Sequence, residues 1–190
     1  MSIGRLFLVP WLALGACQDP PRQASAPESA AIQVRDGSGA SIAELRPSRP
    51  CRATIAGTEL IVGGPPLIAT YGDTKWTGTS DTNGTTLAKD GERVARVFPV
   101  GDPAQAAVLD MQGVALARIA VTGDKATVSD AASVPVRNFV KAGDAIKSDS
   151  PALTITGTDD LILAALLGSP ELQPEVRMLA ACERVLVKGS

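Results

Sequence analysis

Short runs of alternating apolar and polar residues, separated by turn residues, fill the chain from Ile32 to Ile155. A period of two places the apolar side chains on one face of a strand. Turns fall at Ala56-Gly57, Gly123-Asp124 and Ala142-Gly143-Asp144. The pattern predicts about a dozen short antiparallel strands in a meander, too many for one flat sheet, so that the sheet closes into a barrel or stacks into a sandwich.

One hairpin pattern recurs inside this β region. Residues 34–45 and 108–119 both read apolar-x-Asp-x-x-Gly-x-x-apolar-Ala-x-apolar, residues 87–97 are a shortened copy, and residues 128–136 are a degenerate one. An Asp side chain caps such a turn, and the Gly takes a positive φ where the turn ends. Each copy therefore predicts two antiparallel strands joined by a tight turn.

The C-terminal part has a helical pattern instead. Residues 158–160, Thr-Asp-Asp, offer an N-cap and acids in the first turn of a helix, and residues 161–167 are apolar without interruption. A helix that is apolar on every side is buried on every side. Pro174 to about Cys182 predicts a second short helix, and residues 184–187 predict a final strand. The fold class is thus mainly β with C-terminal helices, one of them buried.

The N-terminus has the features of an export signal. Arg5 precedes an apolar run, residues 6–14, that is shorter than the roughly 20 residues a membrane-spanning helix needs. Residues 14–17, Leu-Gly-Ala-Cys, resemble the lipobox of bacterial lipoproteins. The resemblance implies cleavage before Cys17 and lipid attachment to Cys17, which would anchor the protein to a membrane.

The residues after Cys17 are rich in Pro and Ser and contain no large apolar side chain, so they predict a flexible tether. We therefore divide the chain into a signal peptide (1–16), a lipidated Cys with its tether (17–31) and one β-rich domain (32–190). In lipoproteins an Asp directly after the lipidated Cys favours the inner membrane. Gln18 occupies that position here, and the resemblance implies the outer membrane.

The many hairpins together with the all-apolar helix at 161–167 resemble the tubby-like fold. That resemblance implies a closed antiparallel barrel around a central hydrophobic helix. The residues taken alone leave a second arrangement open, in which a sandwich or partial barrel packs the helices against one face.

Composition excludes several kinds of chemistry. The chain contains no histidine, which excludes Ser-His-Asp and Cys-His catalysis and His-ligated zinc. Its net charge is −2 with no basic stripe, so a nucleic-acid partner is not expected. Residues 81–92 have the length of a calcium loop, but Thr86 stands where the loop requires Gly. We expect no metal and no cofactor.

Four residues of the domain remain as candidate site residues. Tyr71 and Trp76 flank a polar stretch, where they form either an exposed binding surface or a cross-strand pair that closes a hairpin. Cys51 and Cys182 are the thiols left once Cys17 carries lipid. Because thiols of exported proteins tend to pair, we expect a disulfide between them. The alternative is a free buried Cys182 and a loop Cys51.

These observations predict a lipid-anchored envelope protein without catalytic activity, which binds or scaffolds an unknown envelope partner and faces the periplasm or the cell surface. Two alternatives remain. One is a periplasmic carrier of an apolar ligand such as a lipid. The other is a hydrolase that pairs a Ser or Thr with a Lys; the spacing occurs at Thr86–Lys89 and at Thr122–Lys125.

Overall fold

The structure of the protein is a computed structural model, and it describes residues 30–64, 66–98 and 105–188. The described residues form fourteen strands followed by two helices. The strands are β1 Ile32–Asp36, β2 Ser41–Arg46, β3 Cys51–Ile55, β4 Thr58–Gly63, β5 Leu67–Tyr71, β6 Thr74–Asp81, β7 Gly84–Lys89, β8 Glu92–Phe98, β9 Gln105–Leu109, β10 Ala115–Thr122, β11 Lys125–Ser129, β12 Pro135–Ala142, β13 Ala145–Asp149 and β14 Ala152–Thr156. The helices are α1 Leu161–Gly168 and α2 Pro174–Lys188.

The strands form one closed antiparallel barrel. Each strand pairs with its neighbours in the sequence, and β1 pairs with β14, with Val34 opposite Ile155, to complete the ring. Alternate side chains of the strands are buried inside the ring, as in β3, where Cys51, Ala53 and Ile55 are buried. The predicted antiparallel meander is confirmed, and closure, rather than a sandwich, removes its free edges.

Because the strands alternate in direction, the barrel has two distinct ends. We call the end with the turns that follow β1, β3, β5, β7, β9, β11 and β13 the far end. The opposite end, where the chain enters β1 and leaves β14, is the entry end. The residue before β1 and the residue after β14 are in close contact, since a Cβ added to Gly157 would lie 2.4 Å from the carbonyl oxygen of Ala31.

Both helices lie inside the barrel. Every residue of α1 is buried, and α1 contacts β10, β11 and β12. Helix α2 contacts β2, β3 and β4 on the opposite wall, and the two helices contact each other. The helices therefore bridge the interior from wall to wall, and their apolar side chains join those of the strands in one core.

The strand number explains why two helices are needed. Fourteen strands about 4.8 Å apart, tilted by about 40°, enclose a ring about 28 Å across. Side chains alone fill barrels of about eight strands, but not one of this width. Two adjacent helices, each about 10 to 12 Å wide, fill the remaining space.

The C-terminal region departs from the sequence prediction in two respects. Helix α2 continues to Lys188, so the predicted final strand at 184–187 is wrong: β1 and β14 already close the ring, which leaves no edge for another strand. Asp160 is the N-cap of α1, and its carboxylate accepts hydrogen bonds from the backbone N–H groups of Ile162 and Leu163 at 3.0 and 3.2 Å. The predicted acids therefore precede the first helical turn rather than lie in it.

Candidate functional site

The structure joins Cys51 and Cys182 in a disulfide, with their Cα atoms 5.8 Å apart. Cys51 begins β3 and Cys182 lies in α2, so the bond attaches the interior helix to the barrel wall. Both residues are fully buried. Cys17, the predicted lipidation site, lies outside the described residues.

Tyr71 and Trp76 lie on the same hairpin but do not form a shared surface. Trp76 is 2% exposed and belongs to the core, whereas Tyr71 is 43% exposed at the far end of β5. They are not direct cross-strand partners either, since Tyr71 lies opposite Thr74 and Trp76 lies opposite Ala69. The exposed binding surface considered for these two rings is therefore not available to Trp76.

The repeated hairpins have the predicted turn chemistry. The Asp36 carboxylate accepts hydrogen bonds from the backbone N–H groups of Ser38 and Ala40 at 2.9 and 3.0 Å. Asp110 and Asp130 bind the two equivalent N–H groups of their own turns at 2.8 to 2.9 Å. A hydrogen bond from the Ser38 hydroxyl is the main reason that the pKa of Asp36 is lowered. All three turns lie at the far end.

Two of these turns present apolar side chains to solvent. Val114 and Val134 directly follow the turns capped by Asp110 and Asp130 and are about half exposed, at 50% and 53%. Since β10 pairs with β11, the two turns are neighbours at the far end. The far rim, as we name this surface, consists of five exposed apolar residues: Met111, Val114, Leu116, Val134 and Val136.

Sequence reasoning missed the far rim, although the repeat carried a signal for it. The residue after the turn is Ala40 in the first copy but Val114 and Val134 in the other two. The residue two positions later is Leu116 or Val136 in the two rim hairpins, and both are exposed. Together these large apolar side chains at outward positions form an exposed apolar surface on adjacent hairpins.

Two buried arginines lie inside the barrel below the far rim. The Arg137 guanidinium of β12 donates to the backbone oxygen of Ser150 and, at 2.8 Å, to Glu171 in the segment between the helices. Arg177 of α2 donates to the backbone oxygen of Leu167 at the end of α1. Both arginines are at least nine-tenths buried. Burial, and secondarily the nearby Arg137 charge, lowers the pKa of Arg177, while Glu171 opposes this effect.

The entry end has its own polar contacts between the barrel and α2. The Thr85 hydroxyl donates to the Glu183 carboxylate, and burial raises the pKa of Glu183 despite that hydrogen bond and the nearby Arg184. Arg184 donates to both carboxylate oxygens of Asp160 at 2.7 and 3.0 Å. These contacts attach α2 to β7 and to the start of α1.

Two surface depressions accompany these clusters. A groove of about 270 Å³ runs over the outside of β2, β3 and β4, where Glu44 pairs with Arg46 and Arg52 with Glu59. A wider depression of about 410 Å³ lies at the entry end, beside the turn between β12 and β13 and residues 157–159. In the groove, opposite charges are already paired with each other, which reduces its capacity to attract a charged ligand.

The fold brings one of the two Thr–Lys spacings together and separates the other. Thr122 and Lys125 lie opposite each other on the hairpin between β10 and β11, and Thr86 and Lys89 lie three residues apart on β7, so that their side chains point to opposite faces. Residues 81–92 comprise the end of β6, all of β7 and the start of β8, with their two turns, rather than a calcium loop. Within the part of the chain that the structure describes, no group of three potential metal ligands occurs.

Comparison with known proteins gives no relative. No protein-family model matches the chain, and neither a curated protein nor a solved structure matches it. The resemblances to bacterial lipoproteins and to the tubby-like fold therefore stay predictions. Among residues 30–64, 66–98 and 105–188, no helix combines the length and the apolar character needed to cross a membrane.

Proposed function

We propose that this protein is a lipid-anchored envelope protein of the bacterial outer membrane whose barrel binds or scaffolds another envelope protein through the far rim, without catalysis. The observation that carries the proposal is the separation of the two ends. Residues 30 and 31 lie at the entry end, and the exposed apolar side chains of the far rim lie at the opposite end. A lipid on Cys17 would connect to the barrel through the tether at the entry end and leave the far rim free.

The packing of the barrel supports a surface function. Apolar side chains of α1 and α2 join those of the strands in one core, and the groove and the depression described above lie outside it. A carrier of an apolar ligand needs an enclosed cavity, which the helices occupy here. We therefore place the binding function on the outside of the barrel.

The anchor is tested by Cys17→Ala. This variant is expected to remain an unprocessed precursor or to leave the membrane fraction, because no lipid can be attached. The mature wild type is expected to start at Cys17 and to exceed the mass of residues 17–190 by the mass of the lipid. A mature protein without added mass, or one starting elsewhere, contradicts the anchor. Gln18→Asp is expected to shift the protein toward the inner membrane in a density gradient.

The far rim is tested by a photo-crosslinking amino acid placed in living cells at Val114 or at Val134. We expect the same discrete adduct from both positions and none from Asp124, an exposed turn residue at the entry end. Val136→Asp should abolish the adduct while leaving the thermal unfolding midpoint unchanged. Equal adducts from Asp124, or no adduct from either rim position, would show that the far rim is not the binding surface.

A further inference from the structure

Three buried polar atoms at the far end of the interior have no hydrogen-bond partner. They are Nε of Arg137, Nε of Arg177 and Oγ of Ser148. Each of the three residues is more than nine-tenths buried. Since buried polar atoms are nearly always paired, three unpaired atoms in one region call for an explanation.

The three residues lie around the end of α1. Ser148 pairs with Leu153 on β14, and its neighbour Lys147 pairs with Val140 on β12, the residue after Phe139. A Cβ on Gly168 would lie 2.6 Å from the Phe139 ring and 3.2 Å from Leu153, so the last residue of α1 lies on this part of the wall. Arg177 binds the backbone oxygen of Leu167, the preceding residue.

The charges of this region do not balance. Two guanidinium groups face one carboxylate, Glu171, which is bound to Arg137. The charged groups that act on Arg177 are Glu171 and Arg137. The N-terminus of α2, which begins at Pro174, adds the positive end of a helix dipole, and Glu175 in the same turn offsets part of it. An excess positive charge in a buried site is costly unless an anion compensates it.

We propose that the far end of the barrel interior binds one small oxyanion, of the size of phosphate or sulfate, between Arg137, Arg177 and Ser148. The two unpaired Nε–H groups and the Ser148 hydroxyl are hydrogen-bond donors of the kind such an anion requires, and arginine binds oxyanions particularly well. The site is independent of the far rim and of the lipid anchor, so neither proposal depends on the other.

The existing contacts of the two arginines are structural and use other nitrogens. Arg137 holds the Ser150 turn and Glu171 through its terminal NH groups, and Arg177 holds the C-terminal end of α1 through one of its own. These contacts account for the position of each guanidinium. They leave both Nε–H groups without a partner, and the oxyanion satisfies them.

The test measures binding of inorganic phosphate and of sulfate to the purified mature protein by isothermal titration, with sodium chloride holding the ionic strength constant. We expect one site per chain, with Arg177→Met and Ser148→Ala each weakening the affinity, the former by at least about tenfold since it removes a charged donor. Glu171→Gln keeps the acceptor for Arg137 but removes the competing charge, so it should bind the anion several-fold more tightly. Arg96→Met is the matched control, because Arg96 also has an unpaired buried Nε but pairs with Asp81.

Each other outcome overturns the proposal. If neither phosphate nor sulfate gives a heat of binding above that of chloride, the unpaired atoms are hydrogen-bonded to water and not to an anion. Weaker binding by Glu171→Gln would show that Glu171 supports the site and that net charge does not drive it. An equal loss in Arg96→Met would show nonspecific attraction. Should Arg177→Met fail to fold, Ser148→Ala and Glu171→Gln, which retain both guanidinium groups, decide the question.

Discussion

Removing the disulfide should lower the stability of the barrel by several kcal/mol. The bond joins Cys51 to Cys182 across 131 positions of the sequence. For a loop of that length the chain-entropy treatment gives a loss of about 5 kcal/mol on opening the bond, mainly because the unfolded chain gains freedom. This figure is an upper bound, and the net loss should be about 3 to 5 kcal/mol, a large part of the total of about 5 to 15 kcal/mol of a typical domain.

The assay is urea unfolding followed through the fluorescence of Trp76, whose ring is buried in the native core. The measurements use a Cys17→Ala chain produced without residues 1–16, so that Trp76 is its single tryptophan and Cys51 and Cys182 are its two cysteines. Wild-type disulfide, reduced disulfide and the Cys51→Ala/Cys182→Ala variant are compared. Reduction and double substitution should lower the free energy of unfolding by similar amounts, and reductant should leave the double variant unchanged.

Two results would refute this reasoning. A loss below about 1 kcal/mol on reduction would mean that the unfolded chain is not restrained by the bond as the loop length requires. Alkylation of the unfolded, unreduced protein supplies the second check. No label on Cys51 and Cys182 is expected before reduction and both are expected to react afterwards, whereas labelling of both before reduction would show that the bond is not formed.

Three further substitutions test the interior helices. Leu163→Asp should prevent folding, because an unpaired buried charge costs several kcal/mol, whereas Leu116→Asp on the far rim should fold normally; an unchanged thermal midpoint for Leu163→Asp would place α1 at the surface. Because the pKa of Glu183 is raised in the folded protein, its contribution to stability is fully present below the unfolded pKa and is lost as pH rises through the folded pKa. Glu183→Gln should therefore raise the thermal midpoint at pH 7 but not at pH 4. A lower midpoint at pH 7 would contradict the burial effect. Asp160→Ala removes the N-cap of α1 and the partner of Arg184, and should lower the free energy of urea unfolding by at least about 1 kcal/mol; Asp159→Ala, an exposed neighbour, should change it little, and equal effects would rule out the capping role.

Local rules were sufficient to predict much of this fold. The Asp-x-x-Gly pattern predicts the turns at Asp36 and Asp110 because it specifies a side-chain acceptor and a positive φ within a few residues. The uninterrupted apolar run that forms α1 predicts complete burial, because a helix that is apolar on every side is buried on every side. The pairing of β1 with β14 is different, because it joins residues about 120 positions apart through the twist of every strand between them, which no local pattern encodes.

The misses arose where tertiary contacts override local preference. Residues 184–187 include β-branched residues typical of strands, yet Arg184 binds Asp160 inside the barrel and the helix continues. Arg137 and Arg177 were not candidates because arginine is rarely buried. The sequence left Trp76 either on an exposed surface or in a cross-strand pair, because its neighbours Thr74 and Lys75 are polar. In a strand, successive side chains point to opposite faces, so polar neighbours do not indicate which face the Trp76 ring occupies.

The position of α1 and α2 at the C-terminal end of the chain has a consequence for how the protein is made. A polypeptide that emerges N-terminus first releases every strand before either interior helix. Until residues 161–188 emerge, the apolar faces of the strands have no helices to pack against. Strand β1 also cannot pair with β14 before β14 has emerged. Assembly is therefore delayed to the last step of synthesis or transport. A chain cut short after β14 would expose an open, apolar inner surface that favours aggregation.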